Sequence, residues 1–204
     1  MGAAWLEALE PRAPDLVAAF RGIDEGRYLA VRREVRRRGG EGTAIGVAGQ
    51  LAAVAEHLDA LIGTAPAALL TRPGGEEDWN VAQALGHTIA ARQGLVLAAQ
   101  LAAADRWPAD AKQVVPGVPG PADADGVSLR DRLVRSQHFI ERAAARIAGH
   151  ELTPCPLDHP WVGRLRCGEW LVFAGVHDLM HVEQLERLIA SVGRPAAAMA
   201  AADA

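Results

Sequence analysis

The stretch Trp170-Leu-Val-Phe-Ala-Gly-Val-His177-Asp-Leu-Met-His181-Val-Glu-Gln184 lies in the longest uninterrupted helical pattern of the chain. Leu171, Val172, Val176, Leu179, Val182, Leu185, Leu188 and Ile189 surround the two histidines rather than avoid them. The pattern predicts a helix over 169–192 with at least one imidazole facing the interior. Side chains four apart share a helix face, so both imidazoles can meet a single divalent cation. A buried imidazole needs a partner, which makes the pair a candidate metal site. Histidines at this spacing also occur as a plain polar flank, and spacing alone leaves both readings open.

Other segments carry the same helical signature. Residues 15–38 read as one amphipathic helix, with Asp15 as cap and Leu16, Phe20, Ile23 and Val31 near one face. Arg32, Arg33, Arg36, Arg37 and Arg38 suit the negative end of the helix dipole, and Gly39-Gly40 stops the helix. A second helix runs over about 43–62 on Val47, Leu51, Val54, Leu58 and Leu61, with Gly63 as terminator. A third starts at Asp78 or Asn80 and passes Val81, Leu85, His87, Ile89, Leu95 and Leu101 to Ala104. Residues 105–127, broken by prolines and glycines, form the longest connection, a crossover or a lid. Ser128 opens the next helix in a capping-box variant with Asp131. Its inner stripe is Leu129, Leu133, Ser136, Ile140, Ala144 and Ile147, with His138 at the surface and Gly149 at the end. Residues 151–168 hold three prolines and read as a loop, and strand signals are nearly absent.

Four helices of about 20 residues with one long crossover predict an all-α fold, a four-helix bundle with an additional N-terminal helix. The expected organisation is a helical extension over 1–42, the bundle over 43–193 and a flexible tail over 194–204. No internal repeat is visible.

The 204 residues allow one domain with a real core, and half of them are hydrophobic with only 4% aromatic, which suits closely packed helices. A net charge of -4 argues against general affinity for nucleic acid or anionic membrane, and the arginine run reads as a solvated helix end. With no apolar run near the length of a span and no basic, apolar leader at Met1, a cytoplasmic protein is expected. Cys155 and Cys167 are then expected as free thiols. The alanine-rich helix faces leave apolar surface that a second copy could cover, so a homodimer is also expected.

A bundle builds metal sites from facing helices. His87 is the leading third ligand, because it sits mid-helix beside Leu85 and Ile89. One ligand there and two on the last helix make a three-histidine set with an open coordination position, the mark of a reactive site. His57 can replace His87 or join the site, and Cys155, His159 and Cys167 form a weaker zinc alternative at irregular spacing. Gln184 shares the face of His181 and can orient a ligand or cap the bundle. Asp178 and Glu183 are acceptors for imidazole N–H groups or solvent-facing residues, with solvent favoured. Trp79, Trp161 and Trp170 read as packing at the bundle ends or as pocket walls, and His150 and His159 as loop residues without a role.

Trp79 followed by His87, then His159-Pro-Trp-Val-Gly163, Glu169-Trp170 and His177-x-x-x-His181-x-x-Gln184, resembles the DinB-like superfamily over about residues 44–192. The helix of residues 15–38 is outside the family pattern. The resemblance implies a four-helix bundle of DinB-like type with His87, His177 and His181 as ligands of zinc, nickel or another divalent cation. It also implies kinship with bacillithiol- or mycothiol-dependent S-transferases and with maleylpyruvate isomerases. A low-molecular-weight thiol as co-substrate and a small electrophilic molecule as substrate are the corresponding expectations. The alternative is a non-catalytic metal-binding stress-response protein. A plain interaction module with buried histidines is the third reading.

Overall fold

The structure is a computed structural model, described here for residues 3–23, 28–73, 79–111 and 117–192. In chain order the helices are α1 (Ala4–Leu9), α2 (Pro14–Phe20), α3 (Tyr28–Arg38), α4 (Ala44–Thr64), α5 (Ala67–Leu70), α6 (Val81–Ala103) and α7 (Gly126–Ile147). A hairpin of β1 (Pro154–His159) and β2 (Gly163–Arg166) follows, and α8 (Cys167–Val192) closes the described chain. The protein is mostly helical, as expected. The expected tail over 194–204 lies outside the described residues.

The long helices owe their limits to identifiable residues. Asn80 caps α6 in a reciprocal capping box: its side chain accepts from the Gln83 N–H at 2.8 Å, and its own N–H donates to Gln83 Oε1 at 3.1 Å. At α7 the cap is Asp125, which accepts from Ser128 N at 2.7 Å, so Ser128 lies inside the first turn and Asp131 pairs with Arg135. This moves the expected start upstream, because a carboxylate is as good an N-cap as a hydroxyl. Gly63 does not stop α4; the helix runs on to Thr64 and ends where Ala65 turns extended before Pro66.

Every residue of the expected α7 stripe is buried, and α4 and α6 each pack against both α7 and α8. Buried residues from Leu6 to Leu185 belong to one hydrophobic core that includes α1, α2 and α3. By length and mean hydropathy of 1.3, α4 is apolar enough to cross a membrane, contrary to the expectation that no stretch would be. Its Val47, Leu51, Val54 and Leu58 are buried within the protein.

Two further expectations fail. Residues 15–38 are not one helix, because α2 ends at Phe20 and the chain turns at Gly22 so tightly that a Cβ there would lie 3.2 Å from Ala19 O and from Val31 N. Asp15 does not cap either. Ala13 is the N-cap with Pro14 in the first turn, while Asp15 takes an ion pair from Arg38 and a hydrogen bond from Gln50 Nε2 at 2.7 Å. The proline-rich loop over 151–168 is the antiparallel hairpin, with Asp158 opposite Arg164 and His159 opposite Gly163. Cys155, Leu157 and His159 alternate inward along β1. Prolines are tolerated because each strand of a two-stranded sheet is an edge.

Candidate metal centre

Two helices bring three histidines together. His177 and His181 project one turn apart from α8, and His87 faces them from α6. Their ring centroids are 4.8 Å apart for His177 and His181, 5.3 Å for His87 and His177, and 5.6 Å for His87 and His181, all edge-on. One ring nitrogen from each lies within 4.8 Å of the other two, and all three residues are buried.

Each outer ring is held by its other nitrogen. His87 Nδ1 donates to the Val118 carbonyl at 2.9 Å, which leaves Nε2 with its lone pair. His181 Nδ1 donates to Gln184 Oε1 at 3.1 Å, again leaving Nε2 free. The Val118 carbonyl reaches α6 because the connection after α6 lies flat on that helix. Asn80 Nδ2 donates to Ala122 O at 3.0 Å, Gly120 N to Gln83 O at 2.9 Å, and His87 to Val118, so the loop runs antiparallel along one face. Two glycines permit the contact: a Cβ on Gly120 would lie 2.5 Å from Gly86 Cα. Trp79, just before the Asn80 cap of α6, packs on His87 at 5.1 Å between ring centroids.

The residues fit a divalent cation. His181 Nε2 and His177 Nδ1 are buried with no hydrogen-bond partner among the described residues, a costly state that a cation relieves. Burial holds His181 down to about 4, with the His87 charge adding to the effect against the Gln184 hydrogen bond. Burial, then the charges of His181, His87 and His159, holds His177 well below the ordinary histidine value. Neutral imidazoles are the form that binds metal.

The model of the DinB superfamily matches residues 49–185, two thirds of the chain and all three histidines. The chain belongs to the DinB superfamily. No curated protein and no solved structure matches it. The match begins inside α4, so α1 to α3 lie outside the span of the DinB model.

The alternatives resolve on geometry. His57 lies 3.0 Å from Glu186 Oε1 and stacks on Trp5, and it is not among the three clustered histidines. Cys155 and Cys167 are free, buried thiols; burial raises both, Cys167 to about 12 with Cys155 adding to the effect. His159 Nδ1 accepts from Trp161 N at 3.2 Å, and the three-histidine group is the metal-capable cluster among the described residues. Glu183 pairs with Arg187 at 3.6 Å, and His150 and His138 are exposed. Trp170 is fully buried, in edge contact with Phe173.

Three features escaped the sequence reading. His159 is buried against Phe173 at 4.7 Å between centroids, one turn before His177, and burial lowers it to about 4. The inward alternation of β1 was its signal. Asp178 is fully buried rather than solvent-facing, with Oδ2 2.8 Å from Arg92 Nε on α6. Burial pushes Asp178 up to about 6 against the pull of Arg92. Finally, a cleft of about 370 Å³ opens beside His87, floored by Ala91, Gly94 and Ala98 of α6 and walled by Trp107, Pro108 and Leu157.

Proposed function

We propose that this member of the DinB superfamily is a cytoplasmic metal-dependent enzyme built on a four-helix bundle of α4, α6, α7 and α8. His87, His177 and His181 are its ligands, and it transfers a low-molecular-weight thiol to a small electrophilic molecule. The observation that carries the reading is the convergence of three buried imidazoles from two helices, two with unpartnered nitrogens, at the end of an open cleft. A divalent ion held there, zinc or nickel by the family likeness, supplies Lewis acidity, lowering the pKa of a thiol that binds it.

The protein's own residues do the rest. Val118 and Gln184 fix the tautomers of His87 and His181, so Nε2 of each presents a lone pair without reorganisation. Three neutral ligands leave the charge of the ion uncompensated, which favours an anionic sulfur as guest. The cleft beside His87 gives the electrophile an apolar surface next to the three histidines. The sulfur forms a bond to the electrophilic carbon as the leaving group departs with the bonding electrons, and the thiol proton passes to solvent. Reversible addition of the same sulfur to a carbon–carbon double bond would give isomerisation instead.

The test uses zinc- or nickel-loaded protein with a panel of low-molecular-weight thiols and monochlorobimane, read by fluorescence of the conjugate. Thiol-dependent conjugation that disappears in His87→Ala and His181→Ala supports the transferase. Retention of the metal with no turnover for any thiol overturns it in favour of a non-catalytic metal-binding protein.

A further inference from the structure

The cleft beside His87 has a chemical character of its own. Its floor is one face of α6, where residues 87, 91, 94, 98 and 101 recur at helical spacing and those at 91, 94 and 98 are Ala, Gly and Ala. Across from them stand Trp107, Pro108 and Leu157. Among the described lining residues none is charged, and the polar side chains are His87 at one end and the indole N–H of Trp107.

Gly94 is the informative position. Glycine inside a helix is less stable than alanine, so it calls for a reason. A close neighbour is not that reason: a Cβ added at Gly94 would meet nothing within 4 Å. Neither is a left-handed backbone, since Gly94 has no positive φ. What its missing side chain leaves is room, on the floor of the cleft and two turns from His87.

We propose that this cleft is the electrophile subsite, that it takes a neutral aromatic molecule of one or two fused rings, and that Gly94 sets the size it admits. The inference rests on the enzyme reading for the word electrophile, and on the cleft alone for the ligand class. A volume of about 370 Å³ lies at the small end of ligand pockets. The Trp107 indole offers a flat face or an edge for an aromatic ring. In the metal-free protein a carboxylate or phosphate entering the same walls would lose its water and find no cationic side chain among the described lining residues to replace it. The His87 end then places a substituent of the ring beside the three histidines.

Binding of 2-methoxynaphthalene and of 2-naphthoate, measured by ligand-observed NMR and calorimetry on metal-free and cobalt-loaded protein, tests this. In the metal-free protein, saturable binding of the neutral ring at least tenfold tighter than the carboxylate is expected. Gly94→Leu should weaken it tenfold or more, with the cobalt absorption spectrum unchanged. Gly94→Ala keeps the fold in view: it should raise Tm, through helix propensity, and weaken the two-ring ligand less than leucine does. Equal or tighter binding of naphthoate to the metal-free protein, or binding indifferent to both substitutions, overturns the proposal. Ring binding is read with and without cobalt, so it decides the cleft independently of the metal centre, which the cobalt spectrum decides.

Discussion

Gln184 shows how much of the site is fixed by a residue that touches no cation. Its Oε1 accepts from His181 Nδ1, and without that acceptor the ring is free to flip or to carry its proton on Nε2, the nitrogen needed for a metal. Gln184→Leu should therefore weaken zinc binding about 10- to 100-fold in competition with a chromophoric chelator. The metal-free protein should unfold at nearly the wild-type temperature, because Gln184 is only half-buried. At this scale the sequence was readable where spacing encodes geometry. The i, i+4 pair and an isolated histidine on another apolar helix identified the three residues that meet. It was silent where the partner is backbone, since the Val118 carbonyl that orients His87 leaves no mark in side-chain chemistry. Asp178 was unreadable for another reason. One residue on from His177 is about 100° round the helix, and only the position of α6 decides whether that direction is solvent or Arg92.

Among the elements, α6 and α8 must keep their register for the histidines to meet, and Arg92 fixes it. The side chain is fully buried and reaches the other three long helices: Nε lies 2.8 Å from Asp178 Oδ2, Nη1 donates to Ser136 Oγ at 3.2 Å, and Nη2 donates to Leu51 O at 3.2 Å and Gln137 Oε1 at 3.0 Å. Removing one partner of a buried pair leaves a charge without compensation, at a cost of about 3–5 kcal/mol. Arg92→Met should lose that much in urea denaturation. Arg92→Met combined with Asp178→Leu should recover a large part of it, a coupling that a double-mutant cycle reads directly. The long helices were legible because a three-or-four periodicity over 20 residues has few other solutions, and of the two caps open for α6, Asp78 and Asn80, the structure uses Asn80. The elements misread were short ones. The prolines at 154, 156 and 160 hid the alternation of Cys155, Leu157 and His159, and the glycine at 22 outweighed an apolar stripe that continued across the break. Arg92 itself gave no hint, because a lone arginine on an apolar helix is more often read as a solvent-facing interruption of the stripe.

For the whole molecule, the buried histidines tie folding to both protons and metal. His159 and His181 are lowered from 6.5 to about 4, and His177 well below its ordinary value, all chiefly by burial. Between these limits the unfolded chain binds protons that the folded chain refuses, so stability falls as pH drops below 6.5. Asp178 acts in the opposite sense: raised from 3.8 to about 6, it takes a proton in the folded state first, and acid relieves its burial. Three histidines against one aspartate leave the balance in favour of the unfolded chain, so acid costs stability between pH 7 and pH 5. The carboxylates held low by arginine partners, Glu10 by Arg21, Glu34 by Arg37 and Asp59 by Arg130, add to the loss only below pH 4.5. A cation bound to the neutral rings adds stability of about 2.7 kcal/mol when free metal is one hundred times its Kd, and a chelator removes it. The metal-free urea midpoint should therefore drop between pH 7 and pH 5. Zinc should raise the midpoint at pH 7, and the rise should shrink as acid protonates the folded rings, a step that for His181 comes near 4. A metal-free midpoint that does not move between pH 7 and pH 5 would mean that His159, His177 and His181 are solvated and that the convergence of α6 and α8 on a dry three-histidine site is wrong.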